Sequence, residues 1–331
     1  MSRLLEVRNL GVGLPRDGRV LRIVDDVSFG VDTGETLGIV GESGCGKSTT
    51  GLALVRLTPR SSWPHLQGQV LFEGRDLLQL GESELRALRG RDLAMILQDP
   101  MTSLNPVFTI GDQIAEAILT HDPAAASQIR GRVVEVLRQV RIPAPESRID
   151  CYPHQLSGGM RQRVVGAIAI ACRPRLLIAD EPTTSLDVTI QAQYLQLLKD
   201  LQRDLGMALI LITHDFGVVA RMCDRVCVMY AGQLVESAPV REIFRCPAHW
   251  YTAALLGGMP RLDRKAERLV SITGAPPRPD RIPAGCRFAP RCPQAGADCE
   301  APPPLSPLPG GRQVRCWRPC PGTPRPERHP S

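Results

Sequence analysis

The sequence of 331 residues lacks the features that mark secreted and membrane-spanning chains. Its first residues, MSRLLEVRNLGVGLPRDG, hold neither the apolar stretch nor the small-residue cleavage site of a signal peptide. No run of apolar residues approaches the ~18 that a membrane-spanning helix needs. We therefore expect the chain to stay in the cytosol. Its 43% of hydrophobic residues is ample for a buried core.

Acidic residues and proline are unevenly distributed along the chain. Residues 1–259 carry 27 Lys and Arg against 28 Asp and Glu, whereas residues 260–331 carry 13 against 6. The same tail holds 17 of the 30 prolines and shows neither a strand nor a helix period. We place a domain boundary near Pro260. A basic tail suits nucleic acid or an anionic membrane surface, but most such runs are simply solvated.

Before this boundary, short apolar runs alternate with helical patterns. The runs TLGIV, LAMIL, LLIAD and ALILIT are typical of buried strands, and residues 129–140 repeat apolar side chains at helical spacing. The alternation predicts an α/β domain with a largely parallel sheet. Residues 109–172 carry only helical signals and predict a helical subdomain inserted into this core. The segment RVCVMYAGQLVESA, residues 225–238, predicts a hairpin.

The segment GESGCGKST matches the pattern of a phosphate-binding loop, and it lies between the strand-like TLGIV and the helical KSTTGLALVRL, as this motif requires. Its glycines let successive backbone amides point at phosphate oxygens, and the positive helix end adds to this field. We expect Lys47 to meet the β and γ phosphates, Ser48 to bind Mg²⁺, and Cys45 to contribute its backbone. The predicted nucleotide-binding residues of this loop are Gly41, Glu42, Ser43, Gly44, Cys45, Gly46, Lys47, Ser48 and Thr49.

The apolar run LLIAD, followed by Glu181, places two carboxylates at the end of a predicted strand. Unpaired charge is costly in a buried strand, but that cost is offset beside a phosphate-bound cation. We expect Asp180 to hold hydrated Mg²⁺. We expect Glu181 to orient or deprotonate the water that attacks the γ-phosphate.

A second anion site is indicated by LSGGMRQR, residues 156–163, which precedes the acidic strand. Ser157, Gly158 and Gly159 open a predicted helix and present backbone amides at its positive end. One chain does not easily fold both this site and the phosphate-binding loop around one nucleotide. A second chain is therefore implied.

Together these motifs resemble the nucleotide-binding subunit of an ABC transporter, over residues 1–259, with the helical subdomain at about 99–172. The resemblance implies a P-loop NTPase core of the ABC ATPase type that binds ATP and Mg²⁺ and hydrolyses ATP. The LSGG signature would close over ATP held by the partner's phosphate loop. By the same resemblance, Gln98 is the Q-loop residue and a Mg²⁺ ligand, Asp187 is the D-loop residue, and His214 is the switch histidine. Gln98 and His214 would then act in catalysis with Glu181.

One stretch departs from the pattern of this family. Near the first strand, the family usually offers an aromatic ring to adenine, whereas NLGVGLPRDG presents Leu14. Adenine is then left with aliphatic surface or with Arg22. Because stacking on an aromatic ring is worth about 1 kcal/mol beyond burial, its loss should weaken nucleotide binding without abolishing it.

The segments QDPMTSLNPVFTIGDQI and YPHQLSGGMRQRV resemble the oligopeptide and dipeptide importer branch of these ATPases, and so does PAGCRFAPRCPQAGADC in the tail. Residues 260–331 would then be the Pro- and Cys-rich C-terminal extension of that branch. The resemblance implies ATP-driven peptide import at the cytoplasmic face of the cell membrane. The implied partners are a second ATPase subunit, identical or paralogous, two membrane permease subunits and, indirectly, an extracytoplasmic solute-binding protein. No nucleic acid is expected.

Three alternatives remain at this point. The first is a soluble ABC ATPase acting on nucleic acid or ribosomes, although such proteins usually carry two cassettes or a long coiled-coil insertion. The second is an importer ATPase for nickel or another small solute. The third, a regulatory module with negligible turnover, is disfavoured by the intact Asp180, Glu181 and His214.

The odd number of 11 cysteines argues against a disulfide framework in the reducing cytosol. Cys286, Cys292, Cys299 and Cys316 lie in the tail, with gaps wider than those of common zinc ribbons. A segment so rich in proline cannot form a core by itself, and a metal centre would supply cross-links. The resemblance implies an iron–sulfur cluster, while zinc and unliganded thiols stay open. Cys320 is a fifth candidate.

Overall fold

The structure is a computed structural model that describes residues 3–98, 103–184, 186–259 and 272–322. Two compact units divide the described residues. The first unit lies within residues 3–5, 31–36 and 75–212. The second unit lies within residues 6–30, 37–74 and 213–322. Among the described residues, no helix is long and apolar enough to cross a membrane.

The strands and helices alternate along most of the chain. The strands are β1 (Arg3–Arg16), β2 (Arg19–Asp32), β3 (Thr36–Val40), β4 (Leu66–Phe72), β5 (Arg75–Asp76), β6 (Leu93–Ile96), β7 (Leu176–Asp180), β8 (Ala208–Thr213), β9 (Arg225–Tyr230), β10 (Gln233–Pro239), β11 (Ser306–Leu308) and β12 (Arg312–Val314). The described α-helices are α1 (Lys47–Leu54), α2 (Glu82–Leu88), α3 (Ile110–His121), α4 (Ile129–Gln139), α5 (Pro145–Arg148), α6 (Gly158–Ile170), α7 (Val188–Leu205), α8 (Phe216–Met222), α9 (Val240–Arg245) and α10 (Trp250–Gly257).

The first unit contains three parallel strands in the order β6, β7, β8. Leu176 of β7 lies opposite Leu93 on one side and Ala208 on the other. Every residue of β7 and β8 is buried, as expected where both faces of a parallel sheet are covered. A strand that is buried on both faces is apolar throughout, and for this reason the apolar runs predicted these strands correctly.

Helices occupy the region between β6 and β7 in which only helical signals were found. Thr109 caps the start of α3: its hydroxyl accepts the Asp112 backbone N–H, and the Asp112 carboxylate accepts the Thr109 N–H. One face of α3 buries Ile110, Ile114 and Ile118. α4 likewise buries one apolar face and packs against α3. The 3.6-residue repeat of the sequence thus corresponds to real amphipathic helices.

In the second unit, β3 pairs with β9 in parallel, and β9 pairs with β10 as the predicted antiparallel hairpin. Ala231 and Gly232 form its two-residue turn, both with positive φ, 45° and 87°. The tail extends this sheet, because β12 pairs antiparallel with β10, and β11 pairs with β12. Strands of three residues are too short to show a period, so no sequence pattern indicated β11 and β12.

The tail also contributes to the core of the second unit. Phe288 is 1% exposed and packs with the rings of Tyr230 and Tyr251 at centroid distances of 5.3 and 5.4 Å. Residues 272–322 are therefore joined to this unit by strand pairing and by aromatic packing.

Candidate active site

The phosphate-binding loop follows β3 and leads into α1, as the sequence predicted. Gly46 caps α1 with φ of 102°, a conformation that side chains rarely adopt, and a Cβ there would lie 2.9 Å from the Ile23 carbonyl oxygen. A Cβ at Gly41 would lie 2.1 Å from the Met229 carbonyl oxygen. Both glycines are therefore required by close backbone approach.

Lys47, the first residue of α1, is only 4% exposed. Its Nζ donates to the carbonyl oxygens of Gly41 at 2.8 Å and of Glu42 at 3.0 Å. The ammonium group is thus held across the loop by oxygen atoms. Phosphate oxygens can replace these acceptors without the side chain leaving the loop.

Two residues that the sequence did not point to hold this loop. The Glu42 backbone N–H donates to the Tyr251 hydroxyl at 2.8 Å. The Glu42 carboxylate accepts two hydrogen bonds from Arg291, at 2.7 and 3.0 Å. Neither partner lies near the loop in sequence, so no motif spacing could have identified them.

The acidic residues lie where β7 ends in the first unit. Asp180 is 3% exposed, and Glu181 follows it with φ of 45°, a left-handed conformation that is strained for a residue other than glycine. One Glu181 carboxylate oxygen accepts from the Gln98 amide at 3.2 Å and from the Thr184 hydroxyl at 2.9 Å. The structure thus brings together two of the predicted catalytic residues, Gln98 and Glu181.

The LSGG segment begins α6, and the Ser157 hydroxyl accepts the Met160 backbone N–H at 3.4 Å. Asp187 caps α7 by accepting the backbone N–H groups of Thr189 and Ile190, each at 3.0 Å. Both helix starts line one open cavity of about 460 Å³ in the first unit. Its lining residues include Ser157, Gly158, Gly159 and Asp187 together with Arg141 and Arg163.

No sequence pattern indicated Arg141 and Arg163, the two arginines that line this cavity. Burial lowers the pKa of Arg163, and the neighbouring charge of Arg141 lowers it further. Arg141 is paired with Asp200 at 2.7 Å, so Arg163 and the positive end of α6 are the features that favour an anion in this cavity. The sequence reasoning also missed Gln162, a buried side chain whose amide donates to the Pro182 carbonyl at 2.7 Å and so links α6 to the segment after Glu181.

The second unit holds the phosphate-binding loop and also His214, which is exposed just after β8. Asp215, the next residue, caps α8 through the backbone N–H groups of Gly217 and Val218. Of the two surfaces considered for adenine, Leu14 is half-buried and Arg22 is paired with Asp25 at 2.9 Å.

Four cysteines of the tail line a single small cavity together with Phe288 and Trp317. They are Cys286, Cys292, Cys299 and Cys316, the four expected to act together. Burial raises the pKa of the Cys286 and Cys292 thiols and raises that of Cys316 to about 12. Cys320 does not line this cavity, although its thiol lies near enough to Cys316 and Cys292 to interact with them electrostatically. Within the described ranges, no three His, Cys, Asp or Glu side chains are arranged around one metal ion.

Comparisons with known proteins agree with this geometry. A family model described as ABC transporter matches residues 24–184, and one described as oligopeptide/dipeptide transporter, C-terminal region, matches residues 235–299. A Brucella abortus protein, provisionally named as a peptide import ATP-binding protein, is 52% identical over 95% of this chain and 94% of its own length. The Bacillus subtilis dipeptide transport ATP-binding protein DppD is 48% identical over 96% and 95%. The oligopeptide transport ATP-binding protein OppD from the same organism is 48% identical over 99% and 92%.

Among solved structures, the dimeric post-hydrolysis state of the ATP-binding cassette MJ0796 with ADP and Pi superimposes with a TM-score of 0.63. It is 25% identical and covers 72% of this chain and 99% of that chain. The structure of cbiO1 from Clostridium perfringens, part of an ABC transporter complex, gives a TM-score of 0.61 at 27% identity, over 74% and 92%.

The fold and the motifs define an ATP-binding cassette with the P-loop core of the ABC ATPases. The predicted fold class is confirmed by these structural neighbours. Within that class, the chain belongs to the ATP-binding proteins of the oligopeptide/dipeptide transporter family.

Proposed function

We propose that this ATPase powers the import of di- or oligopeptides through an ABC transporter at the cytoplasmic face of the cell membrane. One observation carries the proposal: the chain joins an ABC cassette to an extension of the oligopeptide/dipeptide type, and β12 of that extension pairs with β10. Relatives at about half identity over nearly the whole chain are named for dipeptide and oligopeptide transport.

In this proposal, the loop amides of residues 41–49 and the Lys47 ammonium bind the phosphates of ATP. Ser48, Gln98 and Asp180 would hold Mg²⁺, which prefers hydroxyl, amide and carboxylate oxygens of this kind. Bound Mg²⁺ supplies positive charge at the β and γ phosphates. The ammonium already bound to two carbonyl oxygens of the loop supports the role of Lys47.

Glu181 is the general base that accepts a proton from the attacking water. Its carboxylate is oriented by the Gln98 amide and the Thr184 hydroxyl, which give the proton acceptor a fixed direction. The left-handed backbone of Glu181 supports the assignment, because strained conformations of this kind concentrate at functional sites. By its resemblance to the switch histidine of the family, His214 is proposed to act in catalysis near the γ-phosphate.

The cavity beside Ser157, Gly158, Gly159 and Asp187 receives the nucleotide of a second ATPase subunit, identical or paralogous. Arg163 and the start of α6 give this cavity positive charge that suits a phosphate. Closure of the two subunits over ATP does work on two membrane permease subunits, and an extracytoplasmic solute-binding protein delivers the peptide. Hydrolysis and phosphate release reopen the pair.

The rival functions have less support. If the chain were a soluble ATPase acting on nucleic acid or ribosomes, its oligopeptide/dipeptide extension would have no explanation. An importer of nickel or another small solute would share the fold, but the relatives described above are named for peptides.

The four cysteines that share one cavity are proposed to ligate an iron–sulfur cluster. Iron–sulfur clusters are held by four Cys thiolates that are shared among two or four irons, whereas a structural zinc ion takes four ligands itself. Four cysteines around one cavity match the number of ligands that a cluster needs. Bound iron would keep the thiols ionised and cross-link the proline-rich segment. Anaerobic purification with iron, sulfide and zinc analysis tests this: a brown protein with iron and sulfide is expected, and colourless, metal-free, folded protein contradicts it.

The function itself is tested by isolating the tagged chain from its own membranes in mild detergent. Two permease subunits are expected to co-purify, and the complex should release phosphate from ATP faster when a peptide-loaded binding protein is added. The same complex carrying Glu181→Gln should co-purify but stay inactive. Recovery of the chain with ribosomes or nucleic acid, and without permeases, contradicts the proposal.

A further inference from the structure

The second residue of the phosphate-binding loop is held by a side chain of the C-terminal extension. The Arg291 guanidinium donates two parallel hydrogen bonds to the Glu42 carboxylate, at 2.7 and 3.0 Å. The Arg291 side chain is 4% exposed and that of Glu42 is 26% exposed, so this is a largely desolvated ion pair. Such bidentate pairs are the stronger class of charged hydrogen bond.

Arg291 is itself fixed from several directions. Its Nε donates to the Thr273 carbonyl at 3.2 Å, one terminal nitrogen also reaches the Tyr230 hydroxyl at 3.3 Å, and the guanidinium lies 5.8 Å from the Tyr230 ring centre. The hydrogen bonds to Glu42 raise the pKa of Arg291, which stays charged. The extension therefore presents a fixed positive charge to the loop.

Glu42 is a carboxylate in a loop that, under the proposed function, binds the phosphates of ATP. An unpaired negative charge there would repel the nucleotide. Arg291 neutralises this charge, while the Tyr251 hydroxyl fixes the Glu42 backbone N–H and Lys47 fixes the Glu42 carbonyl. The carboxylate, the N–H and the carbonyl of Glu42 thus all have partners, and the partner of the carboxylate comes from the extension.

We propose that Arg291 is a positioning residue for nucleotide binding: by pairing with Glu42, the C-terminal extension sets the charge and shape of the phosphate-binding loop and raises its affinity for ATP. This inference rests on the proposed role of the loop as the ATP site. It gives the extension a function in ATP binding that does not depend on whether its cysteines hold a metal.

The test compares Arg291→Gln with the double variant that also carries Glu42→Gln, in the full chain. Dissociation constants are measured with a fluorescent ATP analogue and Mg²⁺. Arg291→Gln is expected to raise the dissociation constant about tenfold or more, the size expected for loss of one charged hydrogen-bonded pair. The double variant is expected to regain most of the affinity, because no carboxylate is then left unpaired.

A buried arginine elsewhere in the extension provides the matched control. Arg315 is 7% exposed and pairs with Asp26 at 2.9 Å, outside the loop. Arg315→Gln should lower the melting temperature and leave the dissociation constant for ATP within about twofold of wild type. In steady-state assays, Arg291→Gln should raise KM for ATP while kcat at saturating ATP changes little. A purely structural role would instead lower both kcat and the melting temperature together.

The outcomes separate the inference from the proposed function. If wild type binds ATP and Arg291→Gln binds it equally well, the inference is wrong and the proposed function stands. If the double variant binds ATP as weakly as Arg291→Gln, or if Arg315→Gln binds it equally weakly, pairing of the Glu42 carboxylate does not set the affinity and the inference is refuted. Should Arg291→Gln fail to fold, Arg291→Lys takes its place, and wild-type affinity in that variant contradicts the bidentate contact. Absence of ATP binding in wild type would overturn the proposed function itself.

Discussion

Replacing Glu181 by Gln should separate ATP binding from ATP hydrolysis. The two hydrogen bonds that the Glu181 carboxylate oxygen accepts, from Gln98 at 3.2 Å and Thr184 at 2.9 Å, can both be accepted by the carbonyl oxygen of glutamine. The side chain should therefore keep its position, and the variant loses only the carboxylate that accepts the proton from water. Loss of a general base slows hydrolysis by about 100- to 10,000-fold, or about 3–5 kcal/mol of transition-state stabilisation.

The assay measures phosphate release at saturating ATP, with nucleotide binding and subunit association followed in parallel. Thr184→Val is the matched control, because it removes one of the same hydrogen bonds while leaving the carboxylate. A hydrogen bond to a charged carboxylate is worth about 1.5–3 kcal/mol, but the proton acceptor itself stays, so hydrolysis should slow less in this variant than in Glu181→Gln. If Glu181→Gln hydrolyses ATP within about tenfold of wild type, Glu181 is not the base.

Two further predictions concern the loop and the stability of the second unit. Lys47→Ala should abolish ATP binding in a fluorescence titration, because the Lys47 ammonium group is the positive charge held across the loop. Unchanged affinity for ATP would contradict the assignment of this loop to the ATP site. His249 is buried, and burial lowers its pKa from 6.5 to about 3, so it stays neutral in the folded chain while the unfolded chain takes up a proton below pH 6.5. The free energy of unfolding should therefore fall as pH decreases, by about 3 kcal/mol from this group at pH 4, in denaturant titrations. His249→Asn, which retains a side-chain acceptor for the Tyr251 N–H, should flatten this dependence, and an identical pH profile would contradict the assignment.

The parts of the fold that the sequence predicted are those encoded by neighbouring residues. β7 and β8 are apolar because both faces are buried, and the phosphate-binding loop needs glycines at fixed spacing because the backbone turns there. Short-range patterns of this kind are visible in one sequence. They therefore located β3, the strands β6 to β10, the helical region and the loop.

The parts that were missed depend on contacts between residues far apart in the chain. Arg291 reaches Glu42 across 249 positions, and Tyr251 reaches it across 209. No local pattern carries such a pairing, and arginine and tyrosine in a loop or helix usually indicate ordinary surface or core. The short strand β12 was missed for the same reason, since only its pairing with β10 defines it.

The cysteines illustrate the same limit on a smaller scale. The spacing of five tail cysteines could not tell which four act together. In the structure, Cys286, Cys292, Cys299 and Cys316 line one cavity and Cys320 does not. The folding of the proline-rich segment, which a sequence pattern does not describe, brings these four cysteines around one cavity.

Peptide import is tested most directly by uptake into proteoliposomes that hold this chain with the permease subunits that co-purify with it. A labelled di- or oligopeptide, presented with its binding protein on the opposite face, is expected to enter only when ATP is supplied on the side of this chain, and Glu181→Gln is expected to abolish entry. ATP hydrolysis by the intact complex without entry of any peptide, or with entry of nickel instead, would contradict peptide import.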